Sequence, residues 1–135
     1  MADRHLIEWT LERVAERWGD PTGKVYERLF AQSPDMERLF VMDDQGSARG
    51  NMLANVFEVL LDLAGPRAYG ANMVRAEVVN HEGLGVPPRV FASFFGTVRD
   101  VLRDLLAEEW SAEVDGAWRE VLAELEGLVG ENAAA

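Results

Sequence analysis

Apolar side chains recur three or four positions apart along almost the whole chain, the spacing of one face of an α-helix. Ile7, Leu11, Val14 and Trp18 form the first such stripe. Gly19-Asp20-Pro21 ends it and starts another, with Asp20 as a cap and Pro21 in the first helical position. The second stripe carries Val25, Tyr26, Leu29 and Phe30, and Ser33-Pro34 then opens a short piece bearing Met36, Leu39 and Phe40. Asp43-Asp44-Gln45-Gly46 reads as a loop with Ser47 as the next cap. A helix of about 17 residues follows, with Met52, Leu53, Val56, Phe57, Leu60 and Leu63 as its stripe, closed by Gly65-Pro66. The next helix, from about Ala68, places Val74, Val78 and His81 on one face and breaks at Gly83 and Gly85. Pro87-Pro88 opens what reads as the longest helix, from Phe91 through Phe94, Phe95, Val98, Val101 and Leu102 to Leu106. Ser111 caps a last one carrying Val114, Trp118, Val121, Leu122, Leu125 and Leu128, and Ala133–Ala135 are expected to fray.

No alternating strand pattern, repeat or linker interrupts this series. It predicts a single all-α domain over residues 1–135, with a core from about 5 to 130. Six long helices and one or two short ones, broken by prolines, suit an irregular stack better than a symmetric bundle.

Composition narrows the function. The chain has 135 residues, enough for one core, with 48% apolar and 27% charged residues. A net charge of −11 argues against nucleic-acid and anionic-membrane partners, which call for a basic face. No apolar run is long enough to span a bilayer, and the N-terminus enters a charged amphipathic segment without a signal-peptide core, so a cytoplasmic location is expected. The absence of cysteine removes thiolate metal sites and iron–sulfur clusters.

That leaves His81, one of two histidines, on the last turn of an amphipathic helix. Alone it reads as a solvated or hydrogen-bonded side chain. Three spacings change that reading. Tyr26-Glu27-Arg28-Leu29-Phe30 precedes Pro34 and Arg38-Leu39-Phe40; the Leu53–Phe57 face precedes His81 by 28 residues; His81, Gly85, Val86 and Phe91 run on to Trp110-Ser111 and Trp118. In this order and spacing the chain resembles the bacterial globins, the type of Vitreoscilla haemoglobin and of the haem domain of flavohaemoglobins. The resemblance covers about residues 5–130.

The resemblance implies a globin fold around a haem b pocket. His81 matches the proximal histidine that ligates the haem iron; such a ligand needs its other ring N–H held by an acceptor, and the carbonyl near Glu77, one turn back, can supply it. Phe40 matches the phenylalanine that stacks on the haem plane, and Tyr26 the distal tyrosine that hydrogen-bonds a bound gas. Each has an ordinary alternative, a core aromatic for Phe40 and a satisfied buried phenol for Tyr26. Counting back from His81 places Leu53 over the iron and Arg49 at the distal gate, with Gly50 permitting a close helix crossing. A shift of one residue makes Gly50 the gate and Ala54 the cover. Arg49 reads equally as a solvated surface arginine. Val78, Val86, Phe91, Phe94 and Leu122 complete the expected haem wall.

Two departures from the family stand out. Phe91 and Leu122 occupy positions where flavohaemoglobins carry tyrosines, and their C-terminal glutamate falls in the terminal alanines here, with Glu131 nearby. Glu77 stands where an aliphatic residue is usual, so its carboxylate must turn outward or incur a desolvation cost. The function implied is reversible binding of oxygen or another diatomic gas, nitric oxide or carbon monoxide, for storage, transport or sensing. The alternatives are oxidation of nitric oxide to nitrate with electrons from a separate reductase, and a haem-free globin-fold interaction module. The expected assembly is a monomer or a homodimer.

Overall fold

A computed structural model describes residues 3–134, with side chains described through Glu131. Six α-helices make up most of it: α1 (Arg4–Trp18), α2 (Thr22–Gln32), α3 (Ser47–Leu63), α4 (Gly70–Gly83), α5 (Pro88–Leu106) and α6 (Ala112–Ala134). Short 3-10 helices occupy Pro34–Phe40 and Ala107–Glu109, and no strand occurs among the described residues. The expected all-α architecture is therefore the observed one. Two details differ. The longest helix is α6, at 23 residues, and not α5, at 19. Helix α6 runs through Ala134, while Ala135, the end of the tail expected to fray, lies outside the described residues.

Most helix starts have a side-chain cause, though not always the expected one. Asp3 accepts from the His5 N–H at 2.9 Å, and Ser111 Oγ from the Val114 N–H at 3.1 Å, so both ends of the chain begin their helices with ordinary caps. Asp20 accepts from the Thr22 N–H at 2.9 Å, but Pro21 sits at the cap position and the helix starts one residue later than expected. Ser47 is the first residue of α3 and caps nothing. Asp43 does that work from outside: its two carboxylate oxygens accept from the Ala48 and Arg49 N–H groups at 3.1 Å each, across a turn that Gly46 makes at φ +77°. Helix α4 begins at Gly70 instead of Ala68 because its cap comes from another helix. Asp62, on α3, accepts from the N–H groups of Ala68 (3.0 Å), Tyr69 (3.1 Å) and Gly70 (2.6 Å). A Cβ at position 70 would stand 2.8 Å from the Asp62 carboxylate, so only glycine lets that carboxylate in.

Asp62 is 3% exposed. Burial alone would raise its carboxyl above the ordinary range; the three backbone donors, helped by Arg4, outweigh burial and hold it below. The folded form therefore gains stability from this group above the unfolded carboxyl value of about 3.9 and loses it as pH falls through the lower folded value. Asp62→Asn is expected to lower stability by about 1–3 kcal/mol at neutral pH and to flatten the fall in melting temperature between pH 4 and pH 2. Melting curves across that range check it, and an unchanged acid slope would contradict the account.

The core is a single cluster. Helices α1, α5 and α6 pack on one another; α6 also covers α4, α2 packs on α5 and α3, and α3 on α1 and α4. At the α1–α6 seam Trp118 is fully buried and donates from Nε1 to Thr10 Oγ1 at 3.1 Å, while Thr10 itself donates to the Leu6 carbonyl at 2.7 Å. With α1 and α6 behind them, α2, α3, α4 and the first turns of α5 surround a space that none of them fills.

Candidate functional site

That space is a cleft of about 610 Å³ lined by α2, the Pro34–Phe40 turn, α3, α4 and α5. His81 lines it from the last turn of α4. Its Nδ1 lies 2.8 Å from the Glu77 carbonyl oxygen. A carbonyl only accepts, so Nδ1 carries the hydrogen and Nε2 keeps its lone pair, the tautomer a metal ligand needs. The backbone past His81 is also fixed: the N–H groups of Leu84 and Val86 both donate to the His81 carbonyl at 2.9 Å, and Gly85 at φ +95° turns Val86 back onto the cleft wall. The Phe91 ring packs against the imidazole with centroids 5.0 Å apart, and Phe95 packs edge-on against Phe91.

Tyr26 lines the cleft from α2. Its ring lies 5.3 Å from both Phe40 and Phe94 and 5.9 Å from Phe30. The residue is 1% exposed, and its hydroxyl is the one buried side-chain polar atom among the described residues without a hydrogen-bond partner. Burial pushes the phenol far above its ordinary pKa; Arg49 opposes that shift and Asp43 adds to it. Tyr26 thus stays an O–H donor throughout the working pH range, with no acceptor for it among the described residues.

Of the residues expected around the site, Tyr26, Phe40, His81, Val86, Phe91 and Phe94 share this wall. Four do not. Leu53 is 2% exposed but points into the main core, because α3 turns Ala48, Met52, Asn55, Val56 and Val59 toward the cleft. The 28-residue count places the helix but not its rotation. Shifting by one residue does not help, since Ala54 is exposed and a Cβ at Gly50 would meet nothing within 4 Å; no close crossing exists there. Arg49 is held off the wall by Asp43, with Nε 3.0 Å from the carboxylate and Nη2 donating to the Asp43 carbonyl at 2.9 Å. Val78 is buried in the core beside the wall, and Leu122 lines a separate groove between α5 and α6, behind Phe95. Glu131 lies by Arg75, accepting from its Nε at 2.9 Å.

Sequence reasoning missed Met36, Met52 and Met73 on the wall, where flexible thioethers suit an adaptable apolar lining. It also missed Asp43 as a wall residue. The expected cost of Glu77 is met by half-exposure: its carboxylate lines the cleft with Oε2 3.4 Å from His81 Nδ1.

The donor set bears on what could fit. Among the described residues no cluster of three or more His, Cys, Asp or Glu could hold a metal ion, so the cleft offers His81 no ready-made set of side-chain co-ligands. A flat apolar macrocycle suits the aromatic and aliphatic walls, and the unpaired Tyr26 hydroxyl offers a donor inside them.

The fold and cleft define a class: an all-α protein with an irregular helix stack around a pocket that holds one histidine with a free Nε2 and one buried, unpartnered phenol. The Globin family model matches residues 23–127, and the chain belongs to the globin family. No curated protein and no solved structure matches it. No helix among the described residues is long and apolar enough to cross a membrane.

Proposed function

We propose that this globin binds haem b in the cleft, with His81 as the iron ligand, and reversibly takes up oxygen or another diatomic gas. Haem, when bound, supplies a metal centre with a coordination position open to the gas. The protein supplies the rest. His81 offers Nε2 while the Glu77 carbonyl orients the ring. Phe40, Val86, Phe91 and Phe94 bury the macrocycle, and Met52 and Val56 take the place on α3 that Leu53 does not fill. Tyr26 donates its O–H to the gas.

The unpaired Tyr26 hydroxyl carries the reading. A buried unmade hydrogen bond costs about 1–3 kcal/mol, which a gas acceptor would offset. Titration of the purified protein with haemin tests the whole reading: a saturable Soret band is expected, and a protein that refuses haemin would refute it. Tyr26→Phe tests the donor. Oxygen should leave about fivefold faster if a net bond of about 1 kcal/mol is lost, while the haem-free protein should melt no lower than the parent. An unchanged off-rate would show that the phenol does not reach the gas.

A further inference from the structure

His81 has a second neighbour on the side facing away from its free nitrogen. Glu77 reaches it twice: the backbone carbonyl lies 2.8 Å from Nδ1, and the carboxylate Oε2 lies 3.4 Å from the same atom. The two residues are one helical turn apart on α4, the separation at which side chains on one face meet. Resting on the haem-binding reading above, we propose that the Glu77 carboxylate is a positioning residue for the iron ligand. It polarises the Nδ1–H bond, gives the imidazole part of the character of an imidazolate, and so favours ferric over ferrous iron.

Three observations carry this. The N–H is hydrogen-bonded to the Glu77 carbonyl, and the carboxylate of the same residue stands beside that bond at 3.4 Å as a neighbouring charge. Asn80 Nδ2 donates to the other carboxylate oxygen at 3.4 Å, which keeps the group beside the ring. The cleft wall carries two carboxylates, Asp43 and Glu77, and no lysine or arginine; Asp43 is engaged by Arg49, which leaves Glu77 as the net charge facing the ligand. A negative charge on the far side of an imidazole raises its electron donation to a metal and stabilises the higher oxidation state. The carboxylate is half-exposed, so solvent screens most of this. A unit charge on the far side of the ring, at an effective dielectric of about 45–80, would change the ferric-to-ferrous ratio about two- to fivefold.

Among the described residues, the tyrosine and C-terminal carboxylate of flavohaemoglobins have no counterpart beside His81: Phe91 packs there, and Glu131 pairs with Arg75. Glu77 restores the charge from a different position on the same helix as the ligand.

The test uses the haem-loaded protein with Glu77→Gln, which keeps the size and the backbone carbonyl, and Glu77→Leu, which restores the usual aliphatic type. Both should raise the midpoint potential, lowering the ferric-to-ferrous ratio at a fixed applied potential by about two- to fivefold. Both should also lower the iron–histidine stretching frequency of the ferrous protein by resonance Raman. Glu108→Gln removes the same charge from the remote Ala107–Glu109 turn and should move neither reading. If Glu77→Gln leaves potential and stretch unchanged, or shifts them no more than Glu108→Gln does, the role of Glu77 is refuted while haem ligation by His81 stands. If the parent protein forms no histidine-ligated haem complex, both this inference and the proposed function fail.

Discussion

His81→Ala is expected to leave a folded protein that loses haem at least about 100-fold faster than the parent, measured by transfer to an excess of a haem-free acceptor globin. The fold should survive because the side chain is only half-buried and its sole strong hydrogen bond returns to its own helix at Glu77. Apolar burial against Phe40, Phe91 and Phe94 remains, so weak uptake should persist, but the spectrum should change with the loss of the nitrogen ligand. Added imidazole should restore much of the parent spectrum by entering the space the ring vacated. A variant with the parent Soret band and parent retention would show that His81 is not the ligand.

Trp118→Ala should cost more stability than any other single truncation considered. The indole is fully buried at the α1–α6 seam, and its removal leaves a large void while taking from Thr10 Oγ1 the Trp118 N–H donor. A loss of about 3–5 kcal/mol is expected, a large share of the 5–15 kcal/mol typical of a domain. Thr10→Val, which keeps the volume but leaves the buried Trp118 N–H without its acceptor, should cost about 1–3 kcal/mol. Urea denaturation of the two variants separates packing from the hydrogen bond; equal losses would mean that the bond dominates. Because α6 packs on α4, the Trp118 variant should also hold haem less firmly than its remaining fold would suggest.

Helical spacing made the six long elements legible, since each buries one stripe and little else competes with that pattern. Prolines and glycines placed most ends within two residues. What escaped were interactions that cross between elements. Asp62 sits in the stripe of α3 between Leu60 and Leu63 and reads there as an intruder; only the fold brings it to three N–H groups of the next helix. The cleft was half legible. His81, Tyr26, Phe40 and Phe91 could be found because their order along the chain is distinctive. The rotation of α3 could not, because Leu53 and Met52 are equally apolar and neighbouring, and only packing on α1 and α4 decides which turns inward. The distance from His81 to the Glu77 carbonyl was legible from helix geometry alone; the pairing of Arg49 with Asp43 was not, since it depends on a turn made by Gly46.

The Asp62 junction has a mechanical side. Helices α3 and α4 are fastened together at one end by that carboxylate, while their opposite ends, at Ser47 and His81, border the cleft. Their geometry is that of a pair of tongs with the rivet at Asp62. Helix α3 is about 25 Å long, so a swing of only about 5° at the rivet moves the tips by about 2 Å. A corner that touches neither the histidine nor the phenol thus holds the leverage over how far the two tips stand apart.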